Sequence, residues 1–265
     1  MLLKGKVAVI FGGSGAIGTA IARVFLREGA HVYLCARDLN KLQNIATQLQ
    51  KHKGVVHTVS VDALDSQVTS EAVAQIAQAT DGLDIVINAT SFIHNQGKEL
   101  LELNLDEFVG GINPFLTAQF NISKAVVPYM GGKRGGTIIS IVAPSARMAI
   151  PGHLGHIVGC AGIEAFIKAL ASELGSKNIR VLGVRSHAIV DAVQAGSYTR
   201  ELFESKAQAM GLSIGQWIEG AAQGTMLKRL PTLSQVAETV AFLASEHANS
   251  MTATVVNMTA GAIID

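Results

Sequence analysis

Two groups of residues in this chain have the types and spacing to do chemistry. The first is Gly12-Gly13-Ser14-Gly15-Ala16-Ile17-Gly18. Glycines this dense let a backbone turn tightly and approach a pyrophosphate, which the N-terminus of a following helix then stabilises. Such a motif gains meaning only between a strand and a helix. Here Lys6–Phe11 (KVAVIF) reads as a fully apolar strand, and Ala16–Glu28 has apolar residues at 17, 20, 21, 24 and 25, which is helical spacing. The context suits a dinucleotide. The second strand ends in Cys35-Ala36-Arg37-Asp38. An acid at its last position would hold a free ribose 2′-hydroxyl. Ala36 stands there, and Arg37 after it can accept a 2′-phosphate, so NADP is favoured with NAD as the alternative.

The second group is imidazoles. His94, His153, His156 and His187 follow strand-like runs or precede a helix, and an imidazole can give or take a proton near neutral pH. His156 and Cys160, four apart on a helix, also have metal-ligand spacing. However, Ile163 and Ile167 continue the Cys160 face as core, and cysteine is commonly a small buried hydrophobe; no metal is assigned. A Cys160 nucleophile with a histidine base is another option. Arg147 and Arg185 are candidates to hold an anionic substrate group, against the ordinary reading of solvated arginines. Tyr198, in a stretch with no strand signal, could deliver a phenol. Trp217 and the methionines nearby read as packing of a lid or of a partner subunit.

The elements that must position these residues alternate along the chain. Strands are read at Lys6–Phe11, His31–Ala36, Val55–Val61, Asp84–Asn88, Gly136–Val142, Ile179–Val184 and Ala253–Met258. Between them lie helical patterns at Ala16–Glu28, Leu39–His52, Ser66–Ala79, about Asp106–Met130 as one long helix, about Gly155–Leu174, and Leu233–Ser245. Residues ~192–228 read as a helical insertion, a lid over the substrate. Strand then helix, repeated, gives right-handed βαβ units and a parallel sheet with helices on both faces. The fold expected is α/β, a doubly wound parallel sheet, in a single Rossmann-like domain over residues 1–265.

With these residues in place, the chain resembles the short-chain dehydrogenase/reductase family over nearly its whole length. The family's T-G-x-x-x-G-x-G loop reads Phe11 to Gly18, with Phe11 for Thr and Ala16 for Gly. The resemblance assigns adenine to the acid after strand three, Asp62, with Ala63 beside it. It places the family's N-N-A-G stretch at Ile87-Asn88-Ala89-Thr90. Ala161–Phe166 with Leu170–Leu174 and the segment from Leu227 to Ser245 are also family-like. These fix the register of the catalytic positions. The tyrosine place is His156, the lysine place Cys160, the serine place Ala143, and the asparagine place Phe115, with Asn113 two residues away. The Pro-Gly after strand six reads Ser186-His187.

In the family, the tyrosine exchanges the proton at the substrate oxygen. The lysine lowers its pKa, and the serine hydrogen-bonds that oxygen. Cys160 carries no permanent charge and Ala143 has no donor. The resemblance therefore implies NADP(H) binding with an atypical proton donor. His156 is the first candidate and His153, where some enoyl reductases of the family place their tyrosine, the second. The substrate expected is a small or medium apolar carbonyl, alcohol or enoyl compound. The alternatives are a cofactor-binding protein without catalysis, acting as sensor or scaffold, and a non-redox isomerase or lyase. A homotetramer or dimer is implied, with the helices at ~106–130 and ~155–174 at an interface.

Composition closes off other classes. The 265 residues carry 21 Lys+Arg and 20 Asp+Glu, a formal charge of +1. That leaves no electrostatic footprint for nucleic acid or an anionic membrane. At 49% hydrophobic, disorder is excluded. No run approaches the ~18 apolar residues of a spanning helix. The 2 cysteines make no disulfide framework. With no signal-peptide pattern at Met1–Lys6, the expected location is cytoplasmic.

Overall fold

The computed structural model describes residues 1–50, 54–195 and 199–265. Apolar runs without polar alternation make strands that are covered on both faces. The strands are β1 (Val7–Phe11), β2 (His31–Ala36), β3 (Val56–Ser60), β4 (Ile85–Asn88), β5 (Gly136–Val142), β6 (Ile179–Ser186) and β7 (Thr254–Met258); the edge strands β3 and β7 depart from this and hold no buried residue. All neighbours pair in parallel, in the order β3-β2-β1-β4-β5-β6-β7. The chain leaves β1 toward β2 and returns on its other side at β4. The crevice at that reversal is where open parallel sheets bind ligands.

Side chains alternate across each strand. Ala8 and Ile10 enter one core with α1 (Ala16–Arg27), α2 (Leu39–Leu49) and α9 (Leu233–Ala244). Val7, Val9 and Phe11 enter the other, with α3 (Ser66–Thr80), α5 (Asn113–Val126) and α6 (Leu154–Leu174). The doubly wound, single-domain expectation is met. The end of the expected helix over Leu39–His52 falls partly on residues 51–53, outside the described residues.

One expectation is corrected. The long helix at ~106–130 is two helices, α4 (Leu105–Gly110) and α5, followed by a 3₁₀ turn at Val127–Tyr129. A Cβ on Gly111 would lie 2.6 Å from the Gly155 carbonyl carbon. One on Gly155 would lie 2.4 Å from the Phe108 oxygen, and one on Gly159 2.2 Å from the Gly111 oxygen. The backbones of the α4–α5 junction and of α6 therefore touch, and Pro114 starts a new helix where its missing N–H costs nothing. This contact sets the height of α6, whose first turn carries His156.

The insertion holds α7 (Thr199–Ala209) and α8 (Ile214–Gln223). Helix α6 and the turn after it, Leu154–Lys177, are long and apolar enough to cross a membrane by length and composition. Its Ile163, Ile167, Ala171 and Leu174 are instead buried in the second core.

Candidate active site

The carboxyl ends of β1, β2, β4 and β5 open into one cavity of about 600 Å³. Its outer part is the glycine loop. Gly12 has φ +75°, and a Cβ there would lie 2.3 Å from the Ala89 oxygen; a Cβ on Gly18 would lie 2.4 Å from the Gly12 oxygen. Only bare backbone fits at either position. Gly15 is the N-cap of α1, and no side chain caps the helix's first N–H groups. Of the loop residues, Gly12, Ser14, Gly15, Ile17 and Gly18 line the cavity. Gly13 does not: it lies beneath, and a Cβ on it would press on Leu34 and the Ile10 oxygen at 3.0 Å.

Arg37 lines the cavity past β2, with Lys41 nearby. Asp38 accepts from the Lys41 N–H at 2.9 Å and so caps α2. Asp62 and Ala63 also face the cavity. Asp62 Oδ1 accepts from the Leu64 N–H at 3.0 Å, and Asn121 Nδ2 donates to the Ala63 and Leu64 oxygens at 3.1 Å, which pins this turn.

Asn88 and Ala89 complete that wall. Asn88 Oδ1 accepts from the Thr90 N–H at 3.1 Å and the Thr90 hydroxyl at 2.7 Å. Its Nδ2 must then be the donor, and it donates to Gln119 Oε1 at 2.8 Å, where the Ser140 hydroxyl also donates at 2.9 Å. The orientations of the Asn88 and Gln119 amides both follow from the Thr90 backbone N–H. Gln119 Nε2 has no partner among the described residues.

At the inner end four rings interlock. His94 stacks on His156 at 4.1 Å between centroids, and Phe115 meets His94 edge-on at 5.5 Å and His156 at 5.8 Å. Phe92 meets Phe115 edge-on at 5.3 Å. His94 Nδ1 lies 2.8 Å from the Phe92 oxygen, and the Gln96 amide 2.6 Å from its Nε2. A proton on Nδ1 and a Gln96 N–H donating to Nε2 satisfy both. His153 directs Nδ1 to the Pro151 oxygen at 2.8 Å. Cys160 Sγ is 3.7 Å from His156 Nε2.

Burial pushes the Cys160 thiol up to about 12, against a smaller downward pull from the Ala143 backbone. It is a thiol at neutral pH, so the nucleophile option has no thiolate to use. Burial also holds His187 below the usual imidazole range. No group of three or more His, Cys, Asp or Glu comes together as a metal site among the described residues.

Two further expectations are corrected. Arg147 and Arg185 do not line the cavity. Arg185 is buried and donates from Nε to Glu164 at 2.7 Å and from its guanidinium to Asp265, while Arg147 reaches the other Glu164 oxygen at 3.4 Å. The buried Arg185 is held by Glu164, while Arg147 is half-exposed and only loosely paired with it. Tyr198 lies outside the described residues. The residues that sequence reasoning missed are Gln96, Gln119 and Phe92. Gln119 stands one helical turn after Phe115, and that spacing was the available signal.

A family model described as short chain dehydrogenase matches residues 6–200. The 3-oxoacyl-(acyl-carrier-protein) reductase FabG of Thermotoga maritima is 27% identical over 271 residues, covering 100% of both chains. The L-sorbose reductase of Gluconobacter frateurii, solved with NADPH and L-sorbose, is 25% identical with TM-score 0.86, covering 100% of both chains. An NAD+-bound xylitol dehydrogenase, 18% identical, superposes with TM-score 0.88 over 98% of this chain and 100% of that one, which speaks for the fold alone. The family match runs from β1 past β6, so the crevice and its histidines sit in the shared part, and the chain belongs to the short-chain dehydrogenase family.

Proposed function

We propose that this protein is an oxidoreductase that binds NADP(H) and acts on a small or medium apolar carbonyl, alcohol or enoyl substrate, with His156 as proton donor and acceptor. One observation carries the reading. A single cavity runs from the bare Gly12–Gly18 cradle and Arg37 to the His156 ring. The residues present fit a dinucleotide. The glycine cradle leaves room for a pyrophosphate that the uncapped N-terminus of α1 would stabilise. Arg37, with Lys41, would hold a 2′-phosphate; Asp62 would face the adenine; Asn88 and Ala89 would line the path inward. The bound cofactor supplies or takes the hydride.

His156 gives the substrate oxygen its proton on reduction and takes it on oxidation. The rings of Phe92, His94 and Phe115 hold the imidazole in place and keep water away from it. His153, at the N-cap of α6, is the second candidate, and Cys160 supports His156 as a neutral thiol. Tyr198 remains a candidate donor. Helices α7 and α8 act as the lid. The protein is read as cytoplasmic and as a homo-oligomer joined through α5 and α6, where Phe120, Leu154 and Val158 are exposed.

Calorimetric titration with NADPH and NADH tests the cofactor. Binding of neither below about millimolar, a range worth only about −4 kcal/mol, overturns the reading. A second reading, a cofactor-binding protein without catalysis, is favoured by the neutral Cys160 thiol and by Ala143, which has no donor. Joint restoration of Ala143→Ser, His156→Tyr and Cys160→Lys separates the two: ketone reduction gained only on restoration supports the second. Wild-type turnover that His156→Ala leaves unchanged removes His156 from its role. Turnover without net oxidation or reduction would point instead to an isomerase or lyase.

A further inference from the structure

The inner end of the cavity offers hydrogen-bond donors and no cation. Among the lining residues described, the only Lys or Arg are Arg37 and Lys41, both in the stretch that follows β2. Neither Arg147 nor Arg185 lines the cavity, and the buried Arg185 is paired with Glu164 and Asp265. A carboxylate or phosphate at the inner end would be desolvated with no countercharge, which is costly. The walls there are apolar and ring-rich, with Phe92 and Phe115 joined by the Phe203–Trp217 pair of α7 and α8, at 4.5 Å between centroids.

His187 stands in this wall at the end of β6. Its Nδ1 accepts the Ala188 N–H at 2.6 Å. A ring nitrogen that accepts carries no proton, so the proton of the neutral ring is on Nε2. That N–H makes no hydrogen bond to a described residue. Burial disfavours the imidazolium, which keeps the ring a neutral donor.

We propose that His187 is the donor that anchors an oxygen of the substrate, and that the substrate is uncharged: a ketone or secondary alcohol on an apolar, ring-sized body. This rests on the oxidoreductase reading for what the cavity's ligand is. It goes beyond that reading in naming the anchoring residue and in excluding acids and phosphate esters.

The test is calorimetry with acetophenone, benzoate and ethylbenzene, each with and without NADPH. Acetophenone and benzoate share shape and differ in charge; ethylbenzene has no acceptor. Acetophenone is expected to bind at least about tenfold more tightly than benzoate, or about 1.4 kcal/mol. His187→Leu should weaken acetophenone about tenfold, the value of one hydrogen bond, and leave ethylbenzene unchanged, which shows the cavity is intact. His187→Gln keeps an N–H donor and should recover most of the loss. Equal binding of benzoate, no binding of acetophenone, or an acetophenone to ethylbenzene ratio that His187→Leu does not move overturns the proposal. If NADPH fails to bind but the acetophenone pattern holds, the oxidoreductase reading falls and the anchor stands. If NADPH binds and acetophenone ignores His187, the anchor falls and the reading stands.

Discussion

The buried pair between Glu164 on α6 and Arg185 on β6 sets the sharpest stability prediction. The two side chains are 6% and 2% exposed, and their atoms are 2.7 Å apart. Glu164→Leu leaves the Arg185 guanidinium buried with one partner, Asp265, whose side chain is 49% exposed. Removing one member of a buried pair typically costs about 3–5 kcal/mol, because the other charge stays desolvated. Arg147, 46% exposed at 3.4 Å, adds little, since such surface pairs are worth about 0–1 kcal/mol. At about 2–4 °C per kcal/mol for a domain near this size, Tm should fall by about 6–20 °C. The double variant Glu164→Leu/Arg185→Met removes both charges, and Tm should return most of the way to wild type. Differential scanning calorimetry at neutral pH reads both. A Glu164→Leu protein within about 1 kcal/mol of wild type refutes the reasoning, and so does a double variant as unstable as the single.

Four further outcomes are expected. Gly12→Ala places a Cβ 2.3 Å from the Ala89 oxygen at a φ of +75°, so NADPH affinity should drop at least about tenfold by calorimetry; an unchanged Kd would remove the cradle from the site. Arg37→Leu should weaken NADPH by about 1.5–3 kcal/mol, the value of a charged hydrogen bond, and leave NADH binding alone; equal losses for both would take Arg37 off the 2′-phosphate. Burial pushes both Cys35 and Cys160 up to about 12, so iodoacetamide at about pH 8 should label neither until the chain is unfolded in urea; native labelling, read by mass spectrometry, contradicts their burial. His187 titrates below 6.5 in the folded chain, so between that value and 6.5 the unfolded chain binds more protons and stability rises with pH. Lowering the pH from about 7.5 to about 5.5 should therefore lower the wild-type Tm more than that of His187→Gln, and parallel slopes would contradict the shift.

The sheet was legible because its central strands, β1 and β4 above all, are apolar on both faces, a pattern that glycine and polar turns punctuate clearly. β2 and β5 were readable to the residue. The α4–α5 break was not, because its main cause lies outside its own sequence. Gly111 needs the Gly155 backbone against it before a continuous helix becomes impossible. Pro114 was the local sign. The site divides in the same way. The glycine cradle is a local motif and could be read directly. Gln119 is a polar residue on a helix, ordinarily read as solvated, and only Asn88 and Ser140 bring it into the interior. Arg147 and Arg185 looked available because nothing local pairs them with Glu164. The register of His156 came from resemblance, but its stack on His94 depends on a loop after β4 with no periodicity to read.

The places that family resemblance gives to catalysis form one contact set in this chain. Phe115 meets His156 at 5.8 Å, His156 meets Cys160 at 3.7 Å, and the Ala143 backbone acts on the Cys160 thiol. On the proposed reading each constrains the others. A lysine at 160 would put a cation beside the Phe115 and His156 rings, with Glu164 one turn away already bound to two arginines. Neighbours coupled in this way do not respond additively. Cys160→Lys alone should therefore be destabilising, while the joint restoration relieves part of that cost by replacing His156 as well. With Cys160 in place of a lysine, the inner cavity has no cation among its described lining residues. An enzyme retaining that lysine could balance a negative substrate near it; on the proposed reading this chain instead holds an uncharged oxygen through the neutral His187 donor.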